Sequence, residues 1–169
     1  MSSDIVIGVL AYGHVLSAIM WLGGGLLTGF VIGPSLRSIA PSAALEFNAK
    51  VLPKVLRFVQ AALGLTFLFG LLLLYFFKDG DFAWLMNSTQ GYVLSAGILV
   101  ALVTGIFALA FVFPAFKKVS MLSSAALQSG QPPAPEMAKY GKRARVGSMA
   151  GVFLLLFVLA MMVISGFLY

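Results

Sequence analysis

The sequence predicts an all-α, polytopic membrane protein, a bundle of four transmembrane helices with both termini outside. Composition comes first: 61% of the residues are hydrophobic, only 9% are charged, and the mean hydropathy is +1.05, outside the range of soluble domains. Next is length, since four apolar stretches of roughly 20 residues or more fit into 169 residues and fill them. That leaves a single transmembrane domain. The third observation is charge placement: ten of the eleven Lys and Arg residues fall in two connections, Arg37 to Arg57 and Lys117 to Arg145. By the positive-inside rule both connections are cytoplasmic.

The first span is expected over about 5–33. Its apolar run is too long for a signal-peptide core and has no base ahead of it, so it stays as a helix. Pro34 is expected to break it. In the connection that follows, Ser42 is placed to cap a short amphipathic helix bearing Leu45, Glu46, Phe47 and Lys50. Pro53 then bends the start of a second span over about 55–77, which ends in the interfacial anchor Tyr75, Phe76, Phe77, Lys78. An outer loop follows, with an Asp79-Gly80-Asp81 turn and Trp84 at headgroup level. The third span reads over about 91–116, with Pro114 near its inner end, and Val119 to Leu127 as a separate surface helix. Gly130 to Pro135 is a flexible or polyproline-like linker. The fourth span covers 146–169. The two halves share topology and no convincing sequence repeat.

Much chemistry is excluded by absence. Without cysteine there are no disulfides, thiolate metal sites or iron–sulfur clusters. The five acids, Asp4, Glu46, Asp79, Asp81 and Glu136, lie in loops or near a terminus, so no Ser-His-Asp arrangement and no carboxylate relay forms inside the spans. The net charge of +6 is explained by topogenic bases that also attract anionic lipid, and nucleic acid is not a partner. Gly23, Gly24 and Gly25 lie within an apolar helix, away from the strand-turn-helix context of a phosphate loop. Like Gly147 and Gly151, they read as packing residues of a bundle.

His14, the only histidine, is the leading site residue, because an imidazole at bilayer depth is costly to bury without a partner. It lies on the order of 14 Å along the helix from Ile5 at 1.5 Å per residue. His14, Ala18, Trp21, Gly25 and Thr28 form one helical stripe. Met161 and Met162, near the C-terminus, fall at a comparable level. Imidazole and thioether suit cuprous copper or haem iron, and small residues beside a ring leave space for a flat cofactor. This makes His14, Met161 and Met162 the candidate metal ligands, and His14, Trp21 and Gly25 the candidate cofactor contacts. The plain alternative is that His14 hydrogen-bonds to Ser17, to Tyr92 or to a carbonyl of a neighbouring helix and does nothing more.

The segment from Tyr12 to Arg37, with His14, Trp21, Gly23, Gly24, Pro34 and Arg37, resembles the opening helix of the CopD-like (copper resistance D) family of small polytopic membrane proteins. The later pattern is similar too: Lys54 to Arg57 opening the second span, Pro114 closing the third, bases ahead of a methionine-bearing last helix. The resemblance implies a cell-membrane protein of bacterial or archaeal type that takes up or handles copper. It extends more distantly to HemJ-type four-span proteins, which implies haem b, although the third and fourth spans hold no second histidine or lysine. The competing class is a non-catalytic accessory subunit whose glycine and aromatic surfaces bind partner helices in a homodimer or larger membrane complex.

Overall fold

The structure, a computed structural model, describes residues 3–78 and 80–168. Asp79 of the outer turn and Tyr169, the expected end of the fourth span, lie outside the described residues. Among the described residues there is no strand. The elements are α1 (Ser3–Leu26), α2 (Gly33–Ser38), α3 (Pro41–Lys50), α4 (Leu52–Phe77), α5 (Thr89–Phe107), α6 (Phe113–Ser129) and α7 (Glu136–Gly166). A wide-turn π-helical segment, Leu27–Ile32, joins α1 to α2, and another, Ala108–Val112, joins α5 to α6. Four continuous helices, Asp4–Ser38, Leu52–Phe77, Thr89–Ser129 and Glu136–Gly166, are long and apolar enough to cross a bilayer. Their exposed flanks are rich in Leu, Ile, Val and Phe, as lipid contact requires.

The prolines act differently from expectation. Pro34 does not end its helix, which continues to Ser38, and Pro114 sits inside a helix running on to Ser129. The reason is the π segment ahead of each. In an α-helix the proline ring collides with the carbonyl four residues back. Here the Gly33 N–H bonds to the Thr28 carbonyl and the Phe113 N–H to the Ala108 carbonyl, both five residues back, so the chain has already widened where the ring enters. The expected surface helix over Val119 to Leu127 is therefore the end of a continuous rod. Pro53 occupies the first turn of α4, where no intrahelical N–H is needed, and the helix starts at Leu52. Ser42 does not cap α3: Pro41 opens that helix, and its cap residue, Ala40, makes no side-chain bond. The fourth helix starts at Glu136, well before its apolar part. Gly130, in the left-handed region at φ 66°, ends α6.

Glycine contacts fix the arrangement. A Cβ at Gly13 would meet the Phe69 ring at 2.9 Å, and one at Gly24 would meet Val59 at 2.7 Å, which sets α1 antiparallel to α4. Gly97 against Met161 and Gly147 against Val112 set the α5–α6 rod antiparallel to α7 in the same way. The two pairs then cross-connect: Gly25 of α1 abuts Val152 of α7 at 3.1 Å, and Gly105 of α5 abuts Phe67 of α4 at 2.8 Å. In each half the first helix carries a π segment, a Phe-Val pair (Phe30-Val31, Phe111-Val112), a proline and then a base (Arg37, Lys117). The halves thus share a small structural device as well as topology. Contact between α3 and α6 puts both basic connections at one end.

Trp21, Leu56, Val59, Leu63, Phe113 and Leu155 belong to one buried cluster at the crossing of the helices. Several buried hydroxyls are satisfied within their own helices, as with Thr28 to the Gly24 carbonyl and Thr104 to the Val100 carbonyl, each 2.7 Å, whereas Ser123 of α6 reaches across to the Met137 sulfur of α7 at 3.5 Å. The Lys50 ammonium donates to Glu46 on α3 and holds that carboxyl below its usual range, but both groups are exposed and the pair stabilises little.

Gly25→Leu should destabilise the bundle in detergent by about 2 kcal/mol or more, as forced overpacking does. Leu26→Ala, on the lipid-facing flank, should cost under about 1 kcal/mol by the same comparison. Melting curves of the two purified variants check this, and equal tolerance would place the Gly25 contact outside the packed interior.

Candidate functional site

His14 sits on α1 where α4 comes close. Its Nδ1 lies 3.0 Å from the backbone carbonyl oxygen of Thr66. A carbonyl only accepts, so Nδ1 must carry the proton, and in the neutral ring Nε2 keeps its lone pair. Gly70, one turn beyond Thr66, makes the approach feasible: a Cβ there would lie 2.9 Å from the ring. The Thr66 hydroxyl is occupied, donating to the Ala62 carbonyl at 2.7 Å. His14 itself is half-buried. The carbonyl of a neighbouring helix is therefore its partner. Ser17 bonds to the carbonyls of Gly13 and His14 in its own helix, and Tyr92 is 57% exposed.

The residues singled out from sequence occupy three places. His14 belongs to the α1–α4 contact. Trp21 and Gly25, about two and three turns along, line a central cavity of about 50 Å³ with Thr104 and Gly151. Trp21 is 5% exposed, and its ring centroid is 5.8 Å from that of Phe67. Met161 and Met162 pack instead on Gly97 of α5, with the Met162 sulfur 4.0 Å from a Cβ at that position. Extending the α1–α7 register from the Gly25–Val152 and Gly29–Ser148 contacts brings Met162 to nearly the height of His14. The level agrees with the helical count, but the direction belongs to the other helix pair. Among the described residues no three His, Cys, Asp or Glu side chains gather as a metal cluster.

Sequence reasoning missed Thr66 and Gly70 as the cradle of His14. Gly70 was visible as a small residue, and its spacing of four from Thr66 puts both on one face, but nothing in the string pairs that face with His14. The arrangement pins the imidazole through Nδ1, and no hydrogen bond among the described residues occupies Nε2. Metal-binding histidines are held in this way by their outer hydrogen bond. A cavity of about 50 Å³ has room for a water molecule. It has none for a macrocycle. No protein-family model, curated protein or solved structure matches the chain.

Gly70→Ala should push the imidazole off the Thr66 carbonyl, since a methyl group cannot share 2.9 Å with a ring atom. The lost hydrogen bond and overpacking should cost about 1–3 kcal/mol. Nitrogen-15 NMR of the ring should show the Nδ1–H form in the unaltered protein and a mixture of forms in the variant. An Nε2–H ring in the unaltered protein would contradict the geometry.

Proposed function

We propose that this chain is a multi-pass cell-membrane protein that handles copper, with cuprous ion as its cargo and Nε2 of His14 as the ligand. The observation that supports this reading is the hydrogen bond from Nδ1 to the Thr66 carbonyl. It selects the form of the ring that can bind a soft cation, and no carboxylate in the apolar stretches competes for that role. Two-coordinate cuprous ion needs one further donor. Met161 or Met162 supplies it after a rotamer change, or His14 of a second copy supplies it across a homodimer. Haem b fits less well, because the central cavity is too small to enclose it.

In this reading both termini and the Trp84 loop face outward, so His14 lies in the outer half of the membrane. The charge pattern supports that orientation. An accessory subunit of a larger complex is the alternative when no metal is bound.

Protein purified under reducing conditions should carry copper, and His14→Ala should lose it while its melting curve stays cooperative. Elemental analysis decides. Full retention of copper in the variant, or native protein with neither copper nor a Soret band, would remove His14 as a ligand and favour the accessory role.

For orientation, the cysteine-free chain allows single-cysteine labelling. Asn87 and Gln131 are exposed in loops at opposite ends, whereas Ser123 is fully buried and unsuitable. A membrane-impermeant reagent should modify Asn87→Cys in intact cells and spare Gln131→Cys. The reverse pattern would invert the topology.

A further inference from the structure

A space larger than the central cavity lies at the basic end and plays no part in the copper reading. It is a crevice of about 680 Å³ between α2 and α7, backed by residues of α3 and α6. That size lies within the range of small-molecule sites, about 300–1,000 Å³. Its inner limit is formed by Thr28, Gly29 and Ser148, and Thr28 and Ser148 also border the central cavity.

Three bases line the crevice: Arg37 from α2, and Lys142 and Arg145 from α7. The spacing of three places the last two on one face of α7. Arg143, between them, turns away, with its guanidinium 5.1 Å from the centre of the Phe111 ring. No carboxylate lines the crevice. The ion pair of Lys50 with Glu46 lies elsewhere, on α3. Three like charges sharing one concave surface repel each other until an anion joins them.

The remaining wall selects the kind of anion. Ile32, Leu36, Leu52, Phe116 and Val119 make much of it apolar, while Asn48 and Ser148 add hydrogen-bonding groups. Val146 lines the crevice and is 58% exposed at the start of the apolar part of α7, so the crevice reaches the outer flank of that helix, the side on which lipid would lie. A small hydrophilic anion would leave this apolar wall uncovered. An anion carrying a hydrocarbon chain covers it.

We propose that this crevice binds the phosphate of an anionic phospholipid, held by Arg37, Lys142 and Arg145, with its acyl chain leaving past Val146 into the bilayer. Free inorganic phosphate shares the headgroup chemistry and lacks the chain. Binding here is local, unlike general attraction of a basic surface to an anionic membrane, and it depends on the crevice residues alone.

Native mass spectrometry of the delipidated full chain, titrated with phosphatidylglycerol, with phosphatidylcholine of equal chain length and with inorganic phosphate, tests this. One phosphatidylglycerol should bind in preference to phosphatidylcholine, and inorganic phosphate should compete poorly. Arg37→Gln with Arg145→Gln should weaken phosphatidylglycerol at about fivefold per charge removed, leaving phosphatidylcholine unchanged. Lys142→Gln alone, a milder change should the double variant fail to fold, should show about a fivefold loss on the same basis. Lys117→Gln with Lys118→Gln, bases outside the crevice, should have no effect. An equal loss in that control, or unchanged affinity in the crevice variants, would overturn the site, and inorganic phosphate competing as well as the lipid would overturn the lipid as its occupant.

Discussion

A helix in hydrocarbon must satisfy its backbone and hydroxyl groups from its own atoms, and the rest of this molecule follows from that constraint. The hydroxyls of Thr28, Thr66 and Thr104 bond back to carbonyls one turn earlier. With those groups occupied, little directional attraction is left to hold one helix to another. Cohesion falls to close packing, and packing is closest where glycine removes the side chain. The contacts of Gly13 and Gly24 with α4, of Gly25 with α7 and of Gly105 with α4 are therefore what turn separate spans into a bundle. His14 departs from this pattern, as the Ser123 hydroxyl does toward Met137, since its ring donates across to the Thr66 carbonyl of a different helix. It does so at a place that Gly70 leaves open.

The existence and order of the long helices were legible because composition over 20 residues is a strong, local signal. Pro34 and Pro114 were misleading for the same reason. A proline in isolation argues for an end, whereas the wide turns at Leu27–Ile32 and Ala108–Val112 that accommodate it are properties of the preceding residues together. The shared Phe-Val pair ahead of each proline was the available clue, too short to stand out beside apolar sequence of similar composition.

At the candidate site, height was readable and direction was not. A rise of about 1.5 Å per residue fixed the levels of His14 and Met162, but which way each side chain turns depends on how the helices are rotated. That rotation comes from contacts between remote glycines and their neighbours. The partner of His14 is a backbone carbonyl, a group every residue possesses, so the sequence offered the class of partner and not Thr66. The basic crevice shows a similar division. Its cations were visible as topogenic charge, while their sorting, Lys142 and Arg145 inward and Arg143 onto Phe111, is a matter of azimuth.

Over residues 5–33, 55–77, 91–116 and 146–166 the side chains that titrate are His14, the interfacial Arg57 and three tyrosines. With no carboxylate and no lysine in those lengths, the electric field across the bilayer finds few fixed charges to act on inside the bundle. Each elementary charge carried fully across is worth about 2.3 kcal/mol per 100 mV, so a bundle built in this way couples weakly to membrane voltage through its own side chains.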